Sequence, residues 1–169
     1  TGTSSGIYAD SQNGIVDVTS TGSITVNGDA TTYGIYAHST YGNIYVDNQG
    51  GNINASSTAS GFGNVYGVLA YTSDYTGNNV TVDNSGYIGA FNTGNGNAYG
   101  IYAYVYYGGD VTITNDGSIN VSSANDVAYG IYAALVDGDA NVSGTGDITV
   151  YAGGYAEGIY VNVDGDGNA

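Results

Sequence analysis

A short phrase recurs along this chain at a nearly constant step. Gly-Ile-Tyr-Ala, or a close variant, begins at Gly6, Gly34, Gly67, Gly100, Gly130 and Gly158, at intervals of 28 to 33 residues. Self-similarity with such a period marks a solenoid, in which one repeat is one coil and buries its apolar face only when a neighbour stacks on it.

Each repeat reads as three short strands. In the repeat from Gly100, the pairs Ile101/Ala103, Val111/Ile113 and Ile119/Val121 flank a single outward residue, which is the strand period of two. The first pair recurs as Ile7/Ala9, Ile35/Ala37, Val68/Ala70, Ile131/Ala133 and Ile159/Val161. The second recurs as Val16/Val18, Ile44/Val46, Val80/Val82 and Ala140/Val142, and the third as Ile24/Val26, Ile53/Ala55, Ile88/Ala90 and Ile148/Val150. β-Branched residues suit such a pleated, stacked interior. A helix would need apolar spacing of three and four, which no segment shows. An antiparallel sandwich would find hairpin pairs in Asn13-Gly14, Asn27-Gly28 and Asp116-Gly117, but it has no reason to repeat in constant phase. The pattern predicts one all-β domain over residues 1–169, a parallel β-helix of five to six coils with three strands each.

The corners predict their own chemistry. Asn48, Asn84 and Asn115 fall at one coil position before Gly-containing turns. They suit either a hydrogen-bonded amide ladder through the coils or separate turn caps. Length variation gathers at Ser56–Tyr66, Tyr71–Asn79 and Phe91–Tyr99, which are expected to bulge outward, where solenoids place binding surfaces.

Tyr-Gly-Ile-Tyr-Ala from Tyr99, followed by Val-Thr-Ile-Thr-Asn-Asp-Gly-Ser-Ile-Asn-Val from Val111 to Val121, resembles the repeats of bacterial autotransporter-type passenger domains and related large secreted surface proteins. Tyr33–Tyr45 and Tyr129–Val150 carry the same pattern. The resemblance implies a right-handed parallel β-helix exported to the bacterial cell surface. The membrane-embedded barrel of such proteins has no counterpart in this sequence, and passengers ordinarily contain Lys and Arg.

The outward residues are where a function is expected. The middle residue of the first strand is Tyr8, Tyr36, Leu69, Tyr102, Tyr132 and Tyr160 in turn. Coils spaced by about 4.8 Å would stack these phenols into an exposed ladder. Such a ladder serves as a contact surface for sugar rings or a neighbouring fibre, or it only stiffens the rod. Strict alternation would turn Tyr33, Tyr66, Tyr99 and Tyr129, each just before the Gly, inward or into a corner.

Charge narrows the partners. The chain has no Lys or Arg against 15 Asp and Glu. Nucleic acid, anionic lipid and phosphate are excluded as partners, because they are held by cationic side chains. Two carboxylates ~5 Å apart repel by roughly 0.8 kcal/mol in water, and a divalent cation would relieve this. Asp137, Asp139 and Asn141 form one run of alternate oxygen ligands, and Asp164, Asp166 and Asn168 a second. Both resemble the start of a calcium loop without its terminal Glu, so calcium is the candidate cation and solvated acidic turns are the alternative.

Catalysis finds little in the sequence. His38 is the sole His, and nothing in the spacing brings a Ser and an Asp to it. Paired carboxylates leave a glycosidase as a third reading, on neutral glycans only. No apolar run reaches the roughly 18 residues of a spanning helix, so this chain is not expected to insert directly into a membrane.

Both ends lie in repeat register without a capping segment, and the chain starts without Met, as expected of a processed product or part of a longer protein. Uncapped coils predict further repeats or head-to-tail stacking of copies into a homopolymer. In such a junction Asn168 and Ala169, run on into Thr1, Gly2 and Thr3, would imitate the stretch Asn141–Thr145. The leading expectation is an extracellular structural rod, a surface stalk or filament rather than an enzyme. The alternative is a glycan-binding adhesin that uses the Tyr ladder and the corner loops.

Overall fold

The computed structural model describes residues 2–58 and 62–169. Its strands run in chain order as β1 (Ser4–Ser11), β2 (Val16–Ser20), β3 (Ile24–Gly28), β4 (Thr32–Ser39), β5 (Ile44–Asn48), β6 (Asn52–Ser57), β7 (Val65–Thr72) and β8 (Val80–Asn84). They continue as β9 (Tyr87–Asn92), β10 (Ala98–Val105), β11 (Val111–Asn115), β12 (Ser118–Ser123), β13 (Ala128–Val136), β14 (Ala140–Ser143), β15 (Ile148–Ala152) and β16 (Ala156–Asp164). Every third strand joins the same sheet. The first sheet is β1-β4-β7-β10-β13-β16, the second β2-β5-β8-β11-β14 and the third β3-β6-β9-β12-β15. All pairings are parallel, so the chain is a β-solenoid of about five turns with three strands per coil.

The register sets like upon like. Ile35 pairs with Ile7 and Val68, and Val68 with Ile101; Ile44 pairs with Val80, and Ile53 with Ile88. Ile35, Ile44, Ile53, Ile88, Ile101, Ile113, Ile119 and Ile131 are fully buried, with Ala37, Ala70, Ala103 and Ala133 beside them. Each large aliphatic side chain so enclosed contributes about 1.5–3 kcal/mol. Only the end coils open: Ile7, Ile24, Val150 and Val161 are half-buried, and Ile159 is 48% exposed.

Alternation breaks at the repeated glycine. In β4, Gly34 and Ile35 are both buried, so Tyr33 and Tyr36, three residues apart, share the outer face. A Cβ on Gly34 would lie 2.4 Å from Ile53 Cγ2 in its own coil and 2.5 Å from the Gly67 carbonyl oxygen in the next. No side chain fits that space, which is why the repeat keeps Gly there. The expectation that Tyr33, Tyr66, Tyr99 and Tyr129 turn inward or into a corner is therefore corrected. Two consecutive inward positions reset the phase, and these rings join the outer face.

The corners are laddered. Asn48 Nδ2 donates to Asn84 Oδ1 at 2.8 Å, and Asn84 Nδ2 to Asn115 Oδ1 at 2.7 Å. Each amide also donates within its own turn, to the carbonyls of Gly51, Gly86 and Gly117. Ladder and turn cap are thus the same three residues. The column ends on one side at Ser20, the register partner of Asn48, and Asn48 Oδ1 is buried without a donor among the described residues. On the other side it ends at Gly144, whose φ of 131° and 2.1 Å approach of a built Cβ to the Asn115 carbonyl oxygen exclude a side chain.

A second ladder opens the second sheet. The side-chain oxygens of Asn43, Asn79, Asp110 and Asp139 accept the backbone N–H of Asn79, Asp110, Asp139 and Asn168 at 2.9 to 3.0 Å. Asn168 therefore stands over Asp139 rather than over Asn141. The imagined match of Asn168 and Ala169 to Asn141 and Val142 is out of register by two residues. Of the corner loops, Ser56–Tyr66 lies partly outside the described residues. Phe62 at its end is 92% exposed and bridges to Asn95 in the Phe91–Tyr99 loop.

Candidate functional site

The phase break at each glycine builds two columns of tyrosine on one face. The column after the glycine stacks Tyr8 on Tyr36 at 4.5 Å, Tyr102 on Tyr132 at 4.7 Å and Tyr132 on Tyr160 at 4.9 Å, with ring planes within 19°. The column before it stacks Tyr33, Tyr66, Tyr99 and Tyr129 at 4.9 to 5.5 Å. The columns meet edge to face, as Tyr99 does with Tyr102 at 5.2 Å and 90°. Both geometries suit the ring quadrupole, which favours offset stacks and T-shaped contacts. The rings cover one another: Tyr8 at the end is 61% exposed, while Tyr99 in the middle is 8% exposed without belonging to the aliphatic core.

The crowding shows in the phenols. Burial raises Tyr36, Tyr66 and Tyr102 above the ordinary phenol range, and the hydrogen bond to Tyr71 adds to Tyr36. Tyr99 is pushed up to about 12 by burial, against the lowering effect of a hydrogen bond from Asn97. These four crowded phenols hold their protons more tightly than a free phenol does, on a molecule otherwise rich in carboxylates.

The post-glycine column has one gap. Leu69 pairs in register with Tyr36 on one side and Tyr102 on the other, and it leaves a ring position empty between them. Over it lies a groove of about 390 Å³ lined by Tyr33, Tyr36, Tyr66, Leu69, Tyr71, Tyr102 and Tyr104. Leu69 forms an apolar floor, 8% exposed, and Tyr36 and Tyr71 close one rim with their hydroxyls 2.7 Å apart. Two rungs at about 4.8 Å leave room for one flat ring between the faces of Tyr36 and Tyr102.

Beside this groove runs a third outward column: Asp10, His38, Tyr71 and Tyr104. His38 stacks on Tyr71 at 4.3 Å. Its Nδ1 lies 2.8 Å from Asp10 Oδ1 and its Nε2 2.9 Å from Ser73 Oγ. The expectation that no Ser and Asp reach His38 is overturned. The coil spacing brings residues 28 and 35 positions away onto one face.

The acidic runs serve the coil corners. Asp137 Oδ1 accepts the Asp166 amide at 3.0 Å, and Asp139 Oδ1 accepts both the backbone and side-chain N–H of Asn168 at 3.0 Å. Asn141 sits outward on β14 opposite Thr112, and Asp164 ends β16 opposite Val136. Among the described residues no group of three or more Asp, Glu or His side chains is placed to hold a metal ion. Some carboxylates also take local donors, as Asp47 does from Gln49 Nε2 at 2.6 Å and Asp116 from Thr145 Oγ1 at 3.0 Å.

The acceptor ladder through Asn43, Asn79 and Asp110 was not anticipated, although an Asn or Asp directly before the second strand in successive repeats was its signal. Comparison of the chain with protein-family models, curated proteins and solved structures found no match.

Proposed function

We propose that the chain is an extracellular structural rod, a section of stalk or filament whose tyrosine face makes the lateral contacts. The observation that carries this reading is that like residues stack on like from coil to coil, with Leu69 interrupting the post-glycine phenol column. Aliphatic, amide and phenol ladders all run parallel to the shaft, so each added coil repeats the same contacts and costs no new design. The absence of Lys and Arg removes the cleavage sites of trypsin-like proteases, which suits exposure outside a cell.

End-to-end stacking is the means of lengthening. Ile159, Tyr160 and Val161 of one copy would meet Ile7, Tyr8 and Ala9 of the next, in the register that β13 already makes with β16. With six strands in the first sheet and five in each of the others, such a junction closes fully on the first sheet and leaves one rung open in the other two. Electron microscopy and sedimentation across a concentration series test the stacking: rods of one width that lengthen with concentration are expected. Particles that stay single coil stacks at millimolar concentration would remove it.

A second reading, binding of neutral sugar rings, is favoured by the groove over Leu69. Its walls are aromatic, its rim is hydroxyl and it carries no charge. Leu69→Tyr would fill the gap and extend the ladder. Loss of neutral-glycan binding in that variant, and in Tyr102→Ser, is the expected result; binding unchanged in both would exclude the groove.

A further inference from the structure

Three side chains from successive coils form one hydrogen-bonded line on the outer face. Asp10 comes from β1, His38 from β4, and Ser73 directly follows β7. A carboxylate only accepts, so the 2.8 Å bond from His38 Nδ1 to Asp10 Oδ1 places the proton of a neutral imidazole on Nδ1. Nε2 is then the acceptor, and its 2.9 Å neighbour Ser73 Oγ is the donor. The three groups stand in the order and spacing that turn a serine hydroxyl into a nucleophile.

The surroundings hold the line in place. Asp10 Oδ2 receives the Tyr8 hydroxyl at 3.3 Å, which leaves Oδ1 to orient the imidazole. Tyr71 lies flat against the His38 ring, 25° from parallel. Thr72 turns into the core, so Ser73 shares the face of Tyr71 and is exposed to solvent. The N–H groups of Ser73 and Asp74, beside the hydroxyl in the chain, make no backbone hydrogen bond among the described residues and are the kind of donor an oxyanion needs.

We propose that Asp10, His38 and Ser73 form an esterase site acting on small neutral acyl esters. Ser73 Oγ bonds to the ester carbonyl carbon as its proton passes to His38 Nε2. The C–O bond to the alcohol then breaks, and the alcohol leaves with that proton. Water, deprotonated by His38, attacks the acyl-serine; the C–Oγ bond breaks, the proton returns to Ser73, and the carboxylic acid is released. Asp10 is a positioning residue that fixes the tautomer and steadies the imidazolium. The substrate is neutral because the chain has 15 acidic side chains and no Lys or Arg to hold an anion.

The test uses the whole chain with p-nitrophenyl acetate as substrate and a fluorophosphonate as covalent probe. The expected result is one probe adduct per chain, mapped to Ser73 by mass spectrometry. Ester hydrolysis should fall at least ~100-fold in Ser73→Ala and in Asp10→Asn, with circular dichroism unchanged. A purely structural His38 gives a different outcome: no adduct on the wild-type chain, or an adduct and a rate that survive Ser73→Ala. Either result overturns the proposal. Adduct mapping on the wild-type chain decides the matter even if a variant fails to fold.

Discussion

The open end of the asparagine ladder makes a stabilising substitution predictable. Among the described residues Asn48 Oδ1 is buried without a donor, and the register partner of Asn48 is Ser20, whose hydroxyl donates to the Gly22 carbonyl at 3.4 Å. Where another asparagine follows in the ladder the amide nitrogen serves two acceptors at once, as Asn84 does with Gly86 O at 3.2 Å and Asn115 Oδ1 at 2.7 Å. Ser20→Asn places the same amide one rung lower. Its Nδ2 would donate to Gly22 O and to Asn48 Oδ1, with the polarity the ladder already has. Supplying a donor to a buried orphan acceptor contributes about 1–3 kcal/mol. The new Oδ1 points toward the open end of the first coil and keeps its water, while fixing the longer side chain subtracts part of the gain. A net stabilisation of about 1 kcal/mol follows, or about 2–4 °C in Tm for a chain of this length. Urea titration and calorimetry of the wild type, Ser20→Asn and the control Ser20→Thr measure it. A Ser20→Asn midpoint no higher than that of Ser20→Thr would refute the reasoning, because it would mean that Asn48 Oδ1 already has a partner in solution.

Removing a rung from the same ladder should act in the opposite direction. Asn84→Ala strips Asn115 Oδ1 of its donor and is expected to cost about 2–4 kcal/mol in urea unfolding; a loss below 0.5 kcal/mol (about the size of an ordinary surface change) would count against a buried ladder. Gly100→Ala sets a Cβ 2.4 Å from Ile119 Cγ2 and 2.5 Å from the Gly130 oxygen, so a loss of about 3 kcal/mol or more is expected. Gly158→Ala, with nothing within 4 Å, should stay within about 0.5 kcal/mol of the wild type, and equal effects at the two sites would contradict the close coil contact. Alkaline stability follows from the phenols. Below about pH 10 both folded and unfolded chains keep their phenol protons and the contribution is complete. Between about pH 10 and 12 the unfolded chain releases protons that a folded Tyr99 holds, so stability falls as pH rises through that window. Absorbance at ~295 nm should show the ladder phenols ionising together with loss of the β-sheet signal, whereas ordinary phenol titration of an intact fold would contradict the packing of the face.

The fold was legible because one period, repeated, carries its own register. Ile101, Ile113 and Ile119 could be assigned to the interior from alternation alone, and their burial at 0–1% exposure agrees. Asn48, Asn84 and Asn115 shared a coil position, and the ladder follows from that position once coils stack. The outer face was read less well, for two physical reasons. Alternation assumes an unbroken strand, and Gly34 with Ile35 breaks it, so alternation placed the ring of Tyr33 inward or in a corner when it lies on the outer face. The Asp10, His38 and Ser73 line needs three coils in register before it exists. Asp10 and His38 both sit four residues after a repeat glycine, which was a usable signal. Ser73, in a corner of irregular length, offered none.

The parallel stacking also determines how the molecule yields to force. The hydrogen bonds between coils lie along the shaft, and each coil is held by its neighbours alone. Tension on the final strand therefore loads one coil's bonds in succession rather than a whole sheet in shear. A tethered chain drawn from its last residue should lengthen in a staircase of small, similar events. Each releases roughly 100 Å of slack, the extended reach of about 30 residues, as a thread leaves a spool.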